Sequence, residues 1–264
     1  MLLLITDRCA ENCPHCMIEA VPDGSNHLKP ALIPKLAKFI KAAGADILVI
    51  NGCEPTAHPD FFALFERLLK LPPRIISLAT NGTFLLDPEK VRRLSALQKK
   101  REFYITITSV PGLHRSHDAV RTAYDAHAHL FSQIDFTESL TVLDKLGRAK
   151  ENWKALPASP HTRKAPNCFN ILSAAGSVPS LRNMVRQLET PTSSGWVYGM
   201  CKPMIDWNGD VYAGESRHCV PVGSIRTDTP KAIFENLARA VPCGKCGVTV
   251  PPEYQSAFTG RRIA

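Results

Sequence analysis

Six short apolar runs, most of them separated by stretches of helical period, set the narrowest limit on what this 264-residue chain can become. The runs are Leu2 to Thr6, Ile47 to Asn51, Ile75 to Thr80, Phe103 to Thr108, Leu140 to Leu143 and Phe169 to Leu172. A strand that is apolar without alternation is covered on both faces, as happens in a parallel sheet whose crossover helices lie over it. Between the runs, Ala31 to Ala43 places Leu32, Leu36, Phe39 and Ile40 on one face, and Pro59 to Leu71 does the same with Phe62, Phe65, Leu68 and Leu69. The expected class is therefore α/β. A closed eight-stranded barrel would need more chain, and 44% hydrophobic residues are enough for a substantial core.

Directly after the first run come Cys9, Cys13 and Cys16, spaced C-x3-C-x2-C. Three cysteines are one fewer than a closed four-coordinate metal site requires, whereas three thiolates on a four-iron cluster leave one iron open to a substrate or cofactor. Leu2 to Ile5 is too short for a signal peptide or a membrane span, and Asp7 and Arg8 interrupt it. A cytoplasmic protein without a membrane partner is expected, and its nine cysteines are better suited to metal ligation than to disulfides.

The cysteine triplet resembles the signature of the radical S-adenosylmethionine (SAM) enzymes, and further segments follow in the order that family shows. Gly52-Cys53-Glu54-Pro55 looks like its G-G-E-P segment, with Cys53 where the second glycine usually sits. Thr80-Asn81-Gly82 and then Thr106 to Ser109 end the third and fourth runs, and His117-Asp118 with Arg121 resembles an H-D-x-x-R segment. The resemblance implies an open (β/α)6 partial TIM-type barrel, with the site at the C-terminal ends of the strands. It implies that Cys9, Cys13 and Cys16 hold a [4Fe-4S] cluster, that His15 lies near the adenine of SAM, and that Gly52, Cys53, Glu54, Pro55, Asn81, Thr108 and Ser109 contact the cofactor. His15 as a further iron ligand is the competing reading. The implied activity is reductive cleavage of SAM to a 5′-deoxyadenosyl radical that takes hydrogen from an unactivated carbon, with a flavodoxin- or ferredoxin-type electron donor.

The pattern changes near Gly195, which places a domain boundary at 195/196. Met204 to Trp207 and Val211 to Ala213 flank Asn208-Gly209-Asp210, a strong hairpin signal, and Pro230 to Ala240 reads as a helix. A hairpin and one helix bury little core alone, so a metal is expected to hold them together. Cys201, Cys219, Cys243 and Cys246 could supply it, and by residue chemistry alone a structural zinc fits them as well as iron does. The family resemblance instead implies a twitch domain carrying an auxiliary [4Fe-4S] cluster, of the single-cluster, fully ligated type found in an aminocyclitol dehydrogenase. Residues 145–166 break the pattern and read as a loop over the open side of the barrel or a surface insertion.

Candidate catalytic groups are Cys168, as a hydrogen-atom donor or merely a buried thiol, and Asp206, Glu215 and His218, each of which could also be a surface residue. His114, His127 and His129 read as solvated. The formal charge of +8 falls by roughly 3 once two clusters bind, and with the cations scattered, nucleic-acid binding is not expected. An auxiliary cluster favours oxidation of a small polar metabolite in natural-product biosynthesis. Maturation of a ribosomally made peptide is the alternative, by crosslinking or by epimerisation with a cysteine donor. A chain with eight residues before its first candidate ligand is expected to lack a leader-binding domain. A non-catalytic zinc-binding interaction protein is the alternative of another class.

Overall fold

The computed structural model describes residues 1–138, 140–143, 146–156, 162–164, 203–214 and 216–240. Its centre is an open sheet of eight strands. Strands β1 (Leu2–Leu4), β2 (Ile47–Asn51), β3 (Ile75–Thr80), β4 (Tyr104–Thr108) and β5 (Ile134–Thr137) run parallel in that order. Helices α1 (Ile33–Ala42), α2 (Phe61–Leu68), α3 (Pro88–Lys100) and α4 (His117–His127) make the crossovers. The first two helices turn an apolar stripe to the sheet: Ile33, Leu36, Phe39 and Ile40 of α1 are buried, as are Phe61, Leu64, Phe65 and Leu68 of α2. The start of α3 is set locally, because the Asp87 carboxylate accepts from the amides of Glu89 and Lys90 at 3.0 and 3.2 Å and Pro88 occupies the first turn.

The first four strands lie where the apolar runs predict. The fifth does not. Leu140–Leu143 is a strand, β6, but it pairs in parallel with β7 (Thr162–Lys164) in a separate two-stranded sheet. The place beside β4 is taken by β5, whose Asp135 is exposed and whose other residues are only partly buried. An edge strand has one neighbour and less cover, so it loses the continuous apolar signal that marks interior strands. Buried Gln98 of α3 steers the chain into it, donating to the carbonyls of Phe103 and Gln133 at 2.8 Å and accepting from the Ser132 amide at 3.1 Å. The strand expected at Phe169 to Leu172 and the boundary at 195/196 lie outside the described residues.

The C-terminal hairpin is present, as β8 (Met204–Ile205) and β9 (Asp210–Tyr212), followed by β10 (Pro221–Ser224) and helix α6 (Pro230–Ala240). It does not stand apart. β8 pairs in parallel with β1, Leu2 opposite Met204 and Leu3 opposite Ile205, so β1 is flanked on both sides and β8, β9 and β10 extend the sheet at that end. Trp207, Val211, Val222, Ile233 and Leu237 belong to the same hydrophobic core as β1 to β4, and Phe234 meets Phe39 of α1 with ring centroids 5.3 Å apart. The expectation that the hairpin and helix bury little core is therefore corrected: they share the core of the barrel.

Asp206, wholly buried, organises the hairpin turn. One carboxylate oxygen accepts from the amides of Asn208 and Asp210 at 2.9 and 3.1 Å, and the other meets the Tyr212 hydroxyl and Arg217 Nε, both at 3.3 Å. Gly209 closes the turn with φ +85°, a conformation that glycine adopts without strain. Replacing Asp206 with Ala leaves two part-buried amides, the Tyr212 hydroxyl and Arg217 without their acceptor and is expected to cost about 2–3 kcal/mol, read by denaturant unfolding. A loss within about 0.5 kcal/mol would contradict this role. Among the described residues no helix is long and apolar enough to cross a membrane.

Candidate active site

The chain leaves β1 and turns sharply through the cysteine loop, with Asn12 at φ +46° and Glu19 at φ +62°. Asn is among the residues that tolerate the left-handed region best. The loop is clamped from two sides. On one, the buried carboxylate of Glu11 accepts from the Ser116 amide at 3.3 Å and hydroxyl at 2.5 Å, just before α4. On the other lies a short helix, α5 (Gly147–Asn152). Arg148 donates through Nε to the Cys13 carbonyl at 3.0 Å and through Nη1 to Asn12 Oδ1 at 2.8 Å, while Asn152 Nδ2 reaches the Pro14 carbonyl at 3.3 Å. Gly147 approaches so closely that a Cβ there would lie 2.8 Å from the Met17 carbonyl oxygen and 2.9 Å from that of Cys16.

Cys9, Cys13 and Cys16 line one cavity of about 120 Å³ together with His15, Cys53, Asn81, His114 and Arg148. Burial pushes the Cys9 and Cys13 thiols up to about 12, reinforced by the Glu54 carboxylate near Cys9 and by the Cys9 sulfur near Cys13. Cys53 is pushed up further by burial and by Cys16 and Cys9. Protein charge alone leaves such thiols protonated, whereas a bound metal cation deprotonates its thiol ligands outright. Donors for thiolates are already placed: Asn81 Nδ2 lies 3.5 Å from Cys9 Sγ and the Ala20 amide 3.4 Å from Cys16 Sγ.

Three buried side-chain polar atoms among the described residues have no partner, and two of them, His15 Nδ1 and Arg148 Nη2, belong to residues of this cavity. An unsatisfied buried polar group costs about 1–3 kcal/mol, and more when charged. Three converging thiols and an unpaired guanidinium N–H fit a three-thiolate iron-sulfur cluster, whose net charge is about −1. The third atom, Trp207 Nε1, is in the hairpin, where the Arg217 guanidinium lies 4.8 Å from the Trp207 ring centroid.

His114, expected to be solvated, instead packs its ring against His15, with centroids 5.0 Å apart. The two imidazoles and Cys13 place their ligand atoms within 4.8 Å of one another. His114 Nδ1 accepts from the Val110 amide at 2.9 Å, which puts the proton of the neutral ring on Nε2. Burial, with His114 and Arg148 adding to it, holds His15 down at about 3, so this wall of the cavity is uncharged near neutrality. The cysteine clamps Glu11, Ser116, Arg148 and Asn152 were not found by sequence reasoning. Their residue types are ordinary surface ones, and only the fold brings them to the loop.

The tips of β2 and β3 are tied together by Glu54. Wholly inside, its carboxylate accepts from the Thr56 amide and hydroxyl at 3.1 and 2.6 Å, from Thr80 Oγ1 at 2.8 Å and from the Asn81 amide at 2.9 Å. Burial raises its affinity for a proton, and these donors oppose that. Gly52 is required where β2 passes β1, because a Cβ there would meet Ile5 N at 3.0 Å and Thr6 O at 3.1 Å, and its φ is +122°. Pro55 is buried beside Glu54. Asn81 also caps the next turn, accepting from the Thr83 amide at 2.9 Å. Thr108 is partly buried. Ser109 is wholly buried, its hydroxyl 3.3 Å from His117 Nδ1, so the pair anchors α4 to the end of β4.

On the hairpin side, His218 Nε2 lies 2.8 Å from the Glu19 carboxylate and the Ser216 hydroxyl donates to the Met17 carbonyl at 3.0 Å. These contacts bring the segment that carries buried Cys219 against the segment that follows Cys16. Asp206 is engaged in the hairpin turn, as described above. Cys168, Cys201, Glu215, Cys243 and Cys246 lie outside the described residues.

Comparison with known proteins agrees with this geometry. Residues 3–145 match the radical SAM superfamily. A probable GTP 3′,8-cyclase of Methanothermobacter thermautotrophicus is 34% identical over 83 residues, covering 31% of this chain and 27% of that protein. One from Saccharolobus islandicus is 28% identical over 132 residues, covering 47% and 42%. The chain thus matches less than half the length of these relatives. Among solved structures, BtrN in complex with AdoMet and 2-DOIA superposes with a TM-score of 0.55 at 15% identity, over 93% of this chain and 86% of that one. Native anSMEcpe with bound AdoMet gives 0.55 at 15%, over 97% and 86%, and Streptococcus suis SuiB bound to the precursor peptide SuiA gives 0.53 at 13%, over 98% and 66%. The open α/β partial barrel is the shared fold. With the cysteine loop, the Glu54 tie and the strand tips all inside the matched stretch, the chain belongs to the radical SAM superfamily and is an enzyme of that family.

Proposed function

We propose that Cys9, Cys13 and Cys16 hold a [4Fe-4S] cluster with SAM beside it and that Cys201, Cys219, Cys243 and Cys246 hold a second, closed [4Fe-4S] cluster in a twitch-type extension. In this reading the enzyme oxidises a small polar metabolite in natural-product biosynthesis, by dehydrogenation or bond formation, and takes electrons from a flavodoxin- or ferredoxin-type donor. The observation that carries it is the cavity lined by Cys9, Cys13 and Cys16, the first two buried, whose walls include His15 and Arg148, each with a buried polar atom that has no partner. When bound, the first cluster and SAM supply one-electron cleavage to a 5′-deoxyadenosyl radical able to take hydrogen from an unactivated carbon.

The chain's own residues orient and enclose. Asn81 and the Ala20 amide donate to the Cys9 and Cys16 sulfurs, Glu54 fixes the Gly52 to Pro55 segment against Asn81, and neutral His15 and His114 wall the cavity. Gly52, Cys53, Glu54, Pro55, Asn81, Thr108 and Ser109 follow the ends of β2, β3 and β4, the side of the sheet on which SAM is proposed to lie. Support for the second cluster comes from Cys219, which is buried and follows Ser216 and His218, the residues that touch the cysteine loop. The small-molecule substrate is favoured by the likeness to BtrN, solved with 2-DOIA, and by the cyclases, whose name specifies a nucleotide. A peptide substrate is the second reading, favoured by the peptide complexes of anSMEcpe and SuiB.

Anaerobic iron analysis tests this. About seven to eight irons per chain are expected, with release of 5′-deoxyadenosine on reduction with SAM. Zinc without iron would return the chain to a non-catalytic role. Replacing Cys243 with Ala is expected to spare SAM cleavage and remove product, followed as a loss of two mass units in candidate substrates. Unchanged product formation would reject an essential auxiliary cluster.

A further inference from the structure

Arg148 has one guanidinium nitrogen without a partner, at the site where the charge balance changes most when the enzyme is loaded. Its Nε and Nη1 are bonded to the Cys13 carbonyl and to Asn12 Oδ1, at 3.0 and 2.8 Å, and both partners belong to the cysteine loop. The guanidinium is rigid and planar, so two bonds fix the third nitrogen as well. That nitrogen, Nη2, is buried and unpaired. The backbone holds the residue equally firmly: its amide donates to the Cys16 carbonyl at 3.0 Å, and Gly147 before it fits only without a side chain. A cation locked to the loop at Cys13 and Cys16, on a residue that lines the cavity and with one buried donor unpaired, needs an electron-rich acceptor beside it. Arg is always charged, and such a donor costs most when unpaired.

We infer that Arg148 is a positioning residue of the radical centre, its Nη2–H donating to a sulfur of the cluster that Cys9, Cys13 and Cys16 hold and its charge making that cluster easier to reduce. The inference rests on the proposed cluster at these cysteines. Its sign follows from electrostatics: reduction adds negative charge, and a fixed cation and a hydrogen bond to sulfur stabilise the reduced form more than the oxidised one. A lysine does not reproduce this, because its point charge cannot bond two loop acceptors and present a third donor in one plane.

The test is a redox titration of the anaerobic holoenzyme followed by electron paramagnetic resonance, using the signal that changes when SAM is added but titrating without SAM. In Arg148→Gln the ratio of reduced to oxidised cluster at a fixed solution potential is expected to fall at least tenfold, about 59 mV for one electron. Arg148→Lys should fall in between. An unchanged ratio at full iron content overturns the inference, and so does a shift that appears only with SAM present, which would assign Nη2 to the SAM carboxylate. A second measurement does not depend on the variants' stability. Wild-type enzyme carrying 15N in its arginine guanidinium groups should show a weak 15N coupling to the reduced cluster, and its absence overturns the inference. A wild-type protein that takes up no iron defeats the cluster reading itself, and the role of Arg148 with it.

Discussion

Replacing Cys13 with Ala is expected to abolish release of 5′-deoxyadenosine and to remove the cluster proposed at Cys9, Cys13 and Cys16, the largest effect of any single substitution on activity. Cys13 is the middle cysteine of the loop and the point on which the clamp converges, since Arg148 bonds its carbonyl and the Cys16 amide donates to the same oxygen at 3.3 Å. The fold should survive. Cys13 lies outside the strands, and the clamps on the loop act through its backbone, Glu11 and Asn12, which the substitution leaves in place. Far-ultraviolet circular dichroism and a thermal melt close to those of iron-free wild type are therefore expected alongside complete loss of SAM cleavage. Continued cleavage by a correctly folded Cys13→Ala protein would sink the assignment of the triplet.

Replacing Glu54 with Leu is expected to have the largest effect on stability. The substitution removes the acceptor for two amides and two hydroxyls at a position with no access to water. Unsatisfied buried donors cost about 1–3 kcal/mol each and the strand tips can relax only in part, so a loss of about 3–5 kcal/mol is expected. For a chain of this size that lowers Tm by about 10 °C. Glu54→Gln should lie between, because its oxygen can still accept from Thr56 while its NH2 group faces donors. Iron uptake should fall too, since Asn81, which bonds Cys9 Sγ, loses the contact that fixes its backbone. A Leu variant within about 1 kcal/mol of wild type would show that the tie is not structural.

The sequence reading reaches furthest where signals are local. The apolar runs of β1 to β4 announce themselves because both faces of those strands are covered, and the cysteine triplet, Gly52 to Pro55 and Asn81 follow the strand ends in order. β5 escapes because an edge strand with Asp135 in its middle loses the interior pattern. His114 reads as solvated because nothing in Pro111-Gly112-Leu113-His114 shows that the turn after β4 folds back onto His15. Arg148 sits in a polar stretch without period, and its partners lie more than 130 residues earlier. The hairpin is legible from Asn208-Gly209, but its attachment to β1 is not, since two apolar residues in a strand do not say which edge they join.

That attachment has a consequence for how the molecule is made. Leu2 pairs with Met204, a separation of 202 residues, so β1 leaves the ribosome long before its second neighbour exists. Until Met204 and Ile205 emerge, one edge of β1 exposes unpaired backbone groups, a template for wrong pairing with other chains. Contacts this far apart in sequence also carry a high loop-closure cost and form slowly. The cysteine loop hangs from β1, so its final shape waits on the C-terminal strands. Metal loading during synthesis is therefore expected to be inefficient, and iron inserted after release of the chain should reach a loop that is already held.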